Sequence, residues 1–151
     1  MKKLIFVVIT LFILNNCGYS AIYSSKNNNF YIDVSQKDRS KLNSKIENSI
    51  KKFSNQNTEN IIRLEISSNK KINTISKDKK GDPSRFNMTI SLTINILNKN
   101  NYEINKTKNF SKNFNYNNNS NKFSLKQYEK EIENTLINKI VEESIIYLSE
   151  L

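Results

Sequence analysis

From Phe86 to Ile96 every second residue is apolar. Phe86, Met88, Ile90, Leu92, Ile94 and Ile96 alternate with Asn87, Thr89, Ser91, Thr93 and Asn95. Only extended backbone sends successive side chains to opposite sides, so this run predicts a strand with one buried and one polar face. A strand of this kind is not stable alone. Its apolar row requires partner strands and a second layer to cover it.

The neighbours are readable from the same logic. Phe30, Ile32 and Val34 alternate in a short strand, and Ile62, Leu64 and Ile66 alternate with Arg63, Glu65 and Ser67 in another. That second strand is expected to persist through Ile72 and Ile75 to the turn at Gly81-Asp82-Pro83. After Asn98-Lys99-Asn100-Asn101 a fourth strand is expected to start at Tyr102 and Ile104. It should run through Lys106 and Phe110, then decay near Phe114-Asn115-Tyr116 into the Asn-rich loop 117–121.

Two segments switch to helical spacing. Ser35 to Asp38 has the Ser-x-x-Asp spacing of a helix start, and Leu42, Ile46, Ile50 and Phe53 form one stripe after it. The Lys, Asn, Ser and Glu residues of that helix are expected on a solvated outer face. Ser124-Leu125-Lys126-Gln127 has capping-box spacing, followed by a stripe of Leu125, Tyr128, Ile132, Leu136, Ile140, Val141, Ile145 and Leu148. Ile137 and Ile146 broaden it, so this helix should rest across most of the sheet. The expected fold class is α+β: a two-layer sandwich, order β-α-β-β-β-α, with a four-stranded sheet and two helices on one face. The first two strands, if parallel, should be joined by a right-handed crossover. The other sheet face, rich in Asn, Thr and Ser, is either solvated or in contact with the polar interior of a partner.

The N-terminus follows different rules. Lys2 and Lys3 precede Leu4 to Leu14, a run apolar except for Thr10, which is the layout of a secretory signal peptide. As a helix it would measure about 16 Å, short of a hydrocarbon core of about 30 Å. Leu14-Asn15-Asn16-Cys17 resembles the lipobox of bacterial lipoproteins, although Asn16 stands where Gly, Ala or Ser is usual. That resemblance implies cleavage before Cys17, with S-diacylglyceryl and N-acyl groups on it. Several acyl chains together give stable anchoring. Residues 1–16 are thus read as signal peptide, 17–29 as a lipidated tether and 30–151 as a single domain. Gly18 after the cysteine points to outer-membrane rather than inner-membrane sorting.

Composition narrows the chemistry. The chain has no His and one Cys, which excludes Ser-His-Asp and Cys-His nucleophilic sites and the usual zinc sites. The 14 acidic residues lie mostly on presumptive helix faces beside lysines. A non-enzyme without cofactor or metal is expected. The formal charge is +10, or +8 once Lys2 and Lys3 leave with the signal peptide. Much of that charge accompanies the Asn, Ile and Lys bias of an AT-rich genome. No Gly-rich or aromatic-basic signature accompanies it, and nucleic acid is not an expected partner.

The assembled segments resemble the lipopolysaccharide-assembly lipoprotein family, LptE. Cys17-Gly18-Tyr19 resembles its acylated Cys-Gly followed by an aromatic, and Arg85 to Leu97 its long central strand. Phe110-Ser111 to Asn121 resembles its fourth strand and Asn-rich loop, and Gln127-Tyr128-Glu129 with the following stripe its closing helix. The resemblance implies a lipid-anchored plug of the large outer-membrane barrel LptD, facing the periplasm, that helps the barrel assemble and insert lipopolysaccharide. It also implies lipopolysaccharide binding by basic residues. From the residues themselves, the candidates are Lys77, Lys79, Lys80 and Arg85 around the turn, because lipid A phosphates require clustered cationic donors. A solvated Lys-rich hairpin tip is the plainer reading of the same cluster. A second functional reading keeps the anchor and the fold but makes the chain an accessory binding lipoprotein of another envelope machine.

Overall fold

A computed structural model describes residues 29–151. Cys17, the signal peptide and nearly all of the tether lie outside the described residues. The elements are β1 (Tyr31–Gln36), α1 (Lys41–Lys51), β2 (Ile61–Lys77), β3 (Pro83–Leu97), β4 (Ile104–Asn117) and α2 (Lys122–Ser149). The α+β order β-α-β-β-β-α is as the sequence predicts.

The sheet runs β1-β2-β3-β4. β1 pairs in parallel with the first residues of β2, from Tyr31 opposite Ile61 to Gln36 opposite Ile66. β2, β3 and β4 are antiparallel neighbours. The register aligns even-numbered residues on one face. Leu64 faces Ile96, Ile66 faces Ile94, Leu92 lies between Ser68 and Phe110, and Phe86 lies between Thr74 and Tyr116. Both helices cover this face and complete one core with Ile46 and Ile50 of α1 and Leu136, Ile140, Val141 and Ile145 of α2. α1 packs on β1 and β2, and α2 on β3 and β4. The long helix therefore covers half the sheet rather than most of it, because α1 already occupies the other half.

Five local expectations are corrected. Ser35 does not open a helix: it is still in β1, where its hydroxyl donates to the Leu64 carbonyl at 3.0 Å. The cap of α1 is Ser40, whose oxygen accepts from Asn43 N–H at 3.1 Å, so the helix is shorter than the apolar stripe implied. Asn43, expected on the solvated face, is fully buried, donating to the Asp38 carbonyl and carboxylate and accepting from Ser68. The cap of α2 is Asn121, which accepts from the N–H groups of Phe123 and Ser124. Ser124 is already inside the first turn. Tyr102 is not in β4 but in the preceding turn, at φ 56°. β4 continues through Asn117 instead of decaying.

Beyond Ile66, β2 has no strand of β1 beside it, and the sheet extends as three strands toward the turn after Lys77. From Ile61 to Lys77 this is a span of about 50 Å at ~3.3 Å per residue. Past Asn69 the apolar residues of β2 lose their cover, and Ile72 and Ile75 are exposed. Ile75 sits at a break in register between Thr74 and Ser76, an extra residue that bends the strand just short of the tip.

Candidate functional site

The turn joining β2 and β3 is closed by one aspartate. Asp78 N–H donates to the Asp82 carbonyl at 2.8 Å, and Gly81 N–H donates to the Asp78 carbonyl at 3.1 Å. The Asp78 carboxylate accepts from Lys80 N–H and Asp82 N–H, both at 2.9 Å. Gly81 has φ 89°, a conformation open to glycine and strained for a side chain. Below the turn, the Ser76 and Ser84 hydroxyls meet at 2.7 Å.

This turn brings Lys77, Lys79 and Lys80 together at the extremity of the molecule, all exposed. Arg85 lies two positions into β3, opposite Ser76 on one side and Asn117 on the other. It borders an open cleft of about 580 Å³ with Asn115, Asn118, Asn119 and Tyr128. Among the described residues no ion pair engages any of these four cations. Asp78 is occupied by backbone N–H groups, so the local carboxylates do not cancel the lysines by direct contact.

The loop after β4 braces the tip. Asn118 donates its backbone N–H to the Ser84 carbonyl at 2.9 Å and its side-chain amide to the Pro83 carbonyl at 2.6 Å. Lys122, in the first turn of α2, donates to the Asn118 side-chain oxygen at 3.3 Å. A fifth cation is thereby held at the tip. Sequence reasoning missed it because 122 and 85 are linked only through a loop contact. The asparagines at 117–119 were the available signal: such side chains brace loops by bonding backbone groups.

The open face of the sheet is a second surface of note. On β3 and β4 its residues bond in directly opposed pairs: Thr93 to Asn109 at 2.7 Å, Thr107 to Asn95 at 2.8 Å, and Asn87 to Asn115 at 2.6 Å. The hydroxyls of Ser91 and Ser111 lie 3.2 Å apart. From Asn87 to Asn95 and from Thr107 to Asn115 no odd-numbered position is charged, in a chain with 24 basic residues. Those polar groups satisfy one another across strands, which leaves an uncharged surface whose polar groups are paired.

Charge is instead used on the helix side. Glu133 of α2 accepts from both Lys45 of α1 and Lys70 of β2, tying three elements together. Burial acts to raise its pKa, but the hydrogen bonds and charges of the two lysines outweigh that and hold the carboxyl below its usual range. Tyr116 donates to Glu129 at 2.7 Å, and burial followed by that bond pushes the phenol well above its usual value. Among the described residues no cluster of His, Cys, Asp or Glu could hold a metal ion, and no helix is long and apolar enough to cross a membrane.

No protein-family model matches the chain, and no curated protein matches it in sequence. Solved structures do match in fold. Rare lipoprotein B from Shewanella oneidensis superposes with TM-score 0.53 at 11% identity, over 78% of this chain and 95% of its own. A minor lipoprotein from Acinetobacter baumannii gives TM-score 0.58 at 9% identity, over 80% and 90%. Lipoprotein B from Nitrosomonas europaea gives 0.57 at 11% identity, over 81% and 83%. The chain has the fold of these lipoproteins.

Proposed function

We propose that this chain is an outer-membrane lipoprotein, acylated at Cys17 and facing the periplasm, that assists lipopolysaccharide export through an LptD-type β-barrel. The observation that carries the reading is the fold shared with lipoproteins that include rare lipoprotein B, in a chain whose only cysteine precedes that fold at a lipobox-like junction. In this reading the protein is a binding module, not an enzyme, and needs no cofactor beyond its lipid. The uncharged open face of β3 and β4 suits contact with a polar protein wall, since its groups are already paired and lose little on being covered. Lys77, Lys79, Lys80 and Arg85, which no ion pair engages among the described residues, supply donors for the phosphates of lipid A, with Lys122 beside them.

The test is lipopolysaccharide binding by the purified mature protein and by a variant with Glu at positions 77, 79, 80 and 85. The four side chains are exposed and hold nothing in the core, so the variant should melt as the wild type does. Its binding should weaken and lose most of its salt dependence. Unchanged binding by the folded variant removes the tip from the reading.

A further inference from the structure

The end of the domain opposite the hairpin tip mixes cations and carboxylates around exposed apolar side chains. The described chain begins there: Asn29 accepts from the Thr58 hydroxyl, Phe30 accepts from Asn55 N–H, and Tyr31 N–H donates to the Asn60 carbonyl at 2.8 Å. Asn60 in turn lines a groove of about 260 Å³ with Arg63, Leu97, Lys99 and Leu151. Beside the groove, Tyr102 at the tip of the β3–β4 turn is 62% exposed, and Ile104 and Leu151 are 57% and 58% exposed.

Tyr102 is not exposed by default. It holds φ 56°, a conformation that Asn or Gly adopts more readily than a bulky residue, although Asn98, Asn100 and Asn101 all lie in the same turn. Arg63 supports the ring from the sheet side. Its guanidinium carbon lies 4.9 Å from the ring centroid, and its Nη1 donates to the Lys99 carbonyl at 2.9 Å. Nearby, Lys106 and Lys108 lie over the Tyr147 ring, at 5.8 and 5.4 Å from its centroid.

We propose that the free lipoprotein rests on the phospholipid bilayer through this end, with Tyr102, Ile104 and Leu151 at headgroup depth. The proposal rests on the reading of Cys17 as the acylated residue. The intervening segment 18–28 spans no more than about 40 Å even when fully extended, so the end where it joins stays nearer the membrane than the hairpin tip needs to. Tyr102, backed by the Arg63 guanidinium, suits the interface, where a tyrosine ring is buried and its hydroxyl stays wet, and Lys106 and Lys108 beside Tyr147 supply long cationic stems. Glu59, Glu103 and Glu150 lie at the same end, so the attraction is interfacial rather than a cationic patch seeking a polyanion. In this resting state the basic hairpin tip, about 50 Å away along the strands, is left free for its own ligand.

The chain contains no tryptophan, so one can be introduced as a reporter. Mature protein carrying Tyr102→Trp, or Phe123→Trp at the opposite end, is reconstituted into phosphatidylethanolamine–phosphatidylglycerol vesicles with brominated acyl chains. The mass of the mature N-terminus is read on the same samples. The expected result is blue-shifted, strongly quenched emission for Tyr102→Trp and unquenched emission for Phe123→Trp. Acylated protein whose position 102 stays unquenched overturns the docking while leaving the anchor intact. Equal quenching at both ends overturns it as well. A blue shift that depends on protein concentration without quenching by lipid identifies a second copy as the occupant and overturns it too. Unacylated protein with no quenching fails both readings, whereas quenching without acylation supports the docking on its own.

Discussion

Asn43 joins two segments of α1's surroundings through one amide: it donates to Asp38 ahead of the helix and accepts from Ser68 on β2. Asn43 has no solvent access, Ser68 is half-buried and Asp38 is exposed, so the buried amide depends on its two partners. Asn43→Ala should therefore cost about 1–3 kcal/mol in urea unfolding, because three hydrogen bonds are lost and the half-buried Ser68 hydroxyl is left without its acceptor. Glu133 is the second such residue, and its effect is legible through pH. Its folded pKa lies below the ordinary value of 4.5, so its contribution is fully present above the unfolded pKa and is lost as pH falls through the folded one. The stability gap between wild type and Glu133→Gln should be constant near neutrality and shrink below about pH 4.5. A gap that is flat into strong acid would show that the two lysines do not act through the carboxylate charge. Neither role is visible in sequence: an Asn on a polar helix and a Glu among lysines read as solvent-facing until the register of β2 brings Ser68 and Lys70 beneath them.

At the scale of elements, hydrophobic period was the informative signal and end signals were the weak one. The period of two in β3 and the stripe of α2 predict both elements and their buried faces. The caps competed with equally good candidates nearby. Ser35 was claimed by a strand hydrogen bond to Leu64, and Asn121 stands three residues ahead of Ser124 with two free N–H groups to accept from. The difference is measurable: Asn121→Ala should cost about 1 kcal/mol in thermal or urea unfolding. Ser124→Ala should stay within about 0.5 kcal/mol. β4 reads weakly in sequence because Lys106, Lys108 and Lys112 occupy helix-side positions and interrupt its apolar row. Lys112 is answered by Glu143 of α2 at 2.5 Å, so a cation at an edge strand pairs where it would otherwise repel. The basic tip was legible as a cluster at a turn. Its bracing by Asn118 and the addition of Lys122 required the fold.

The whole molecule has two unlike ends and two unlike faces. At one end the chain enters among exposed Tyr102, Ile104 and Leu151, and at the other a turn closed by Asp78 carries cations without ion-pair partners among the described residues. One sheet face is sealed by helices, and the other is an uncharged ladder over β3 and β4. Such an arrangement fits a module that is held at one end, lies against a polar wall along its side and offers donors to an anionic lipid at its far end. The measurement that bears most directly on this account is the amount of lipopolysaccharide reaching the cell surface when the protein is depleted. On the proposed function, surface lipopolysaccharide falls, and the wild-type chain restores it while the variant with Glu at positions 77, 79, 80 and 85 restores it less. Surface lipopolysaccharide unchanged after complete depletion would contradict it.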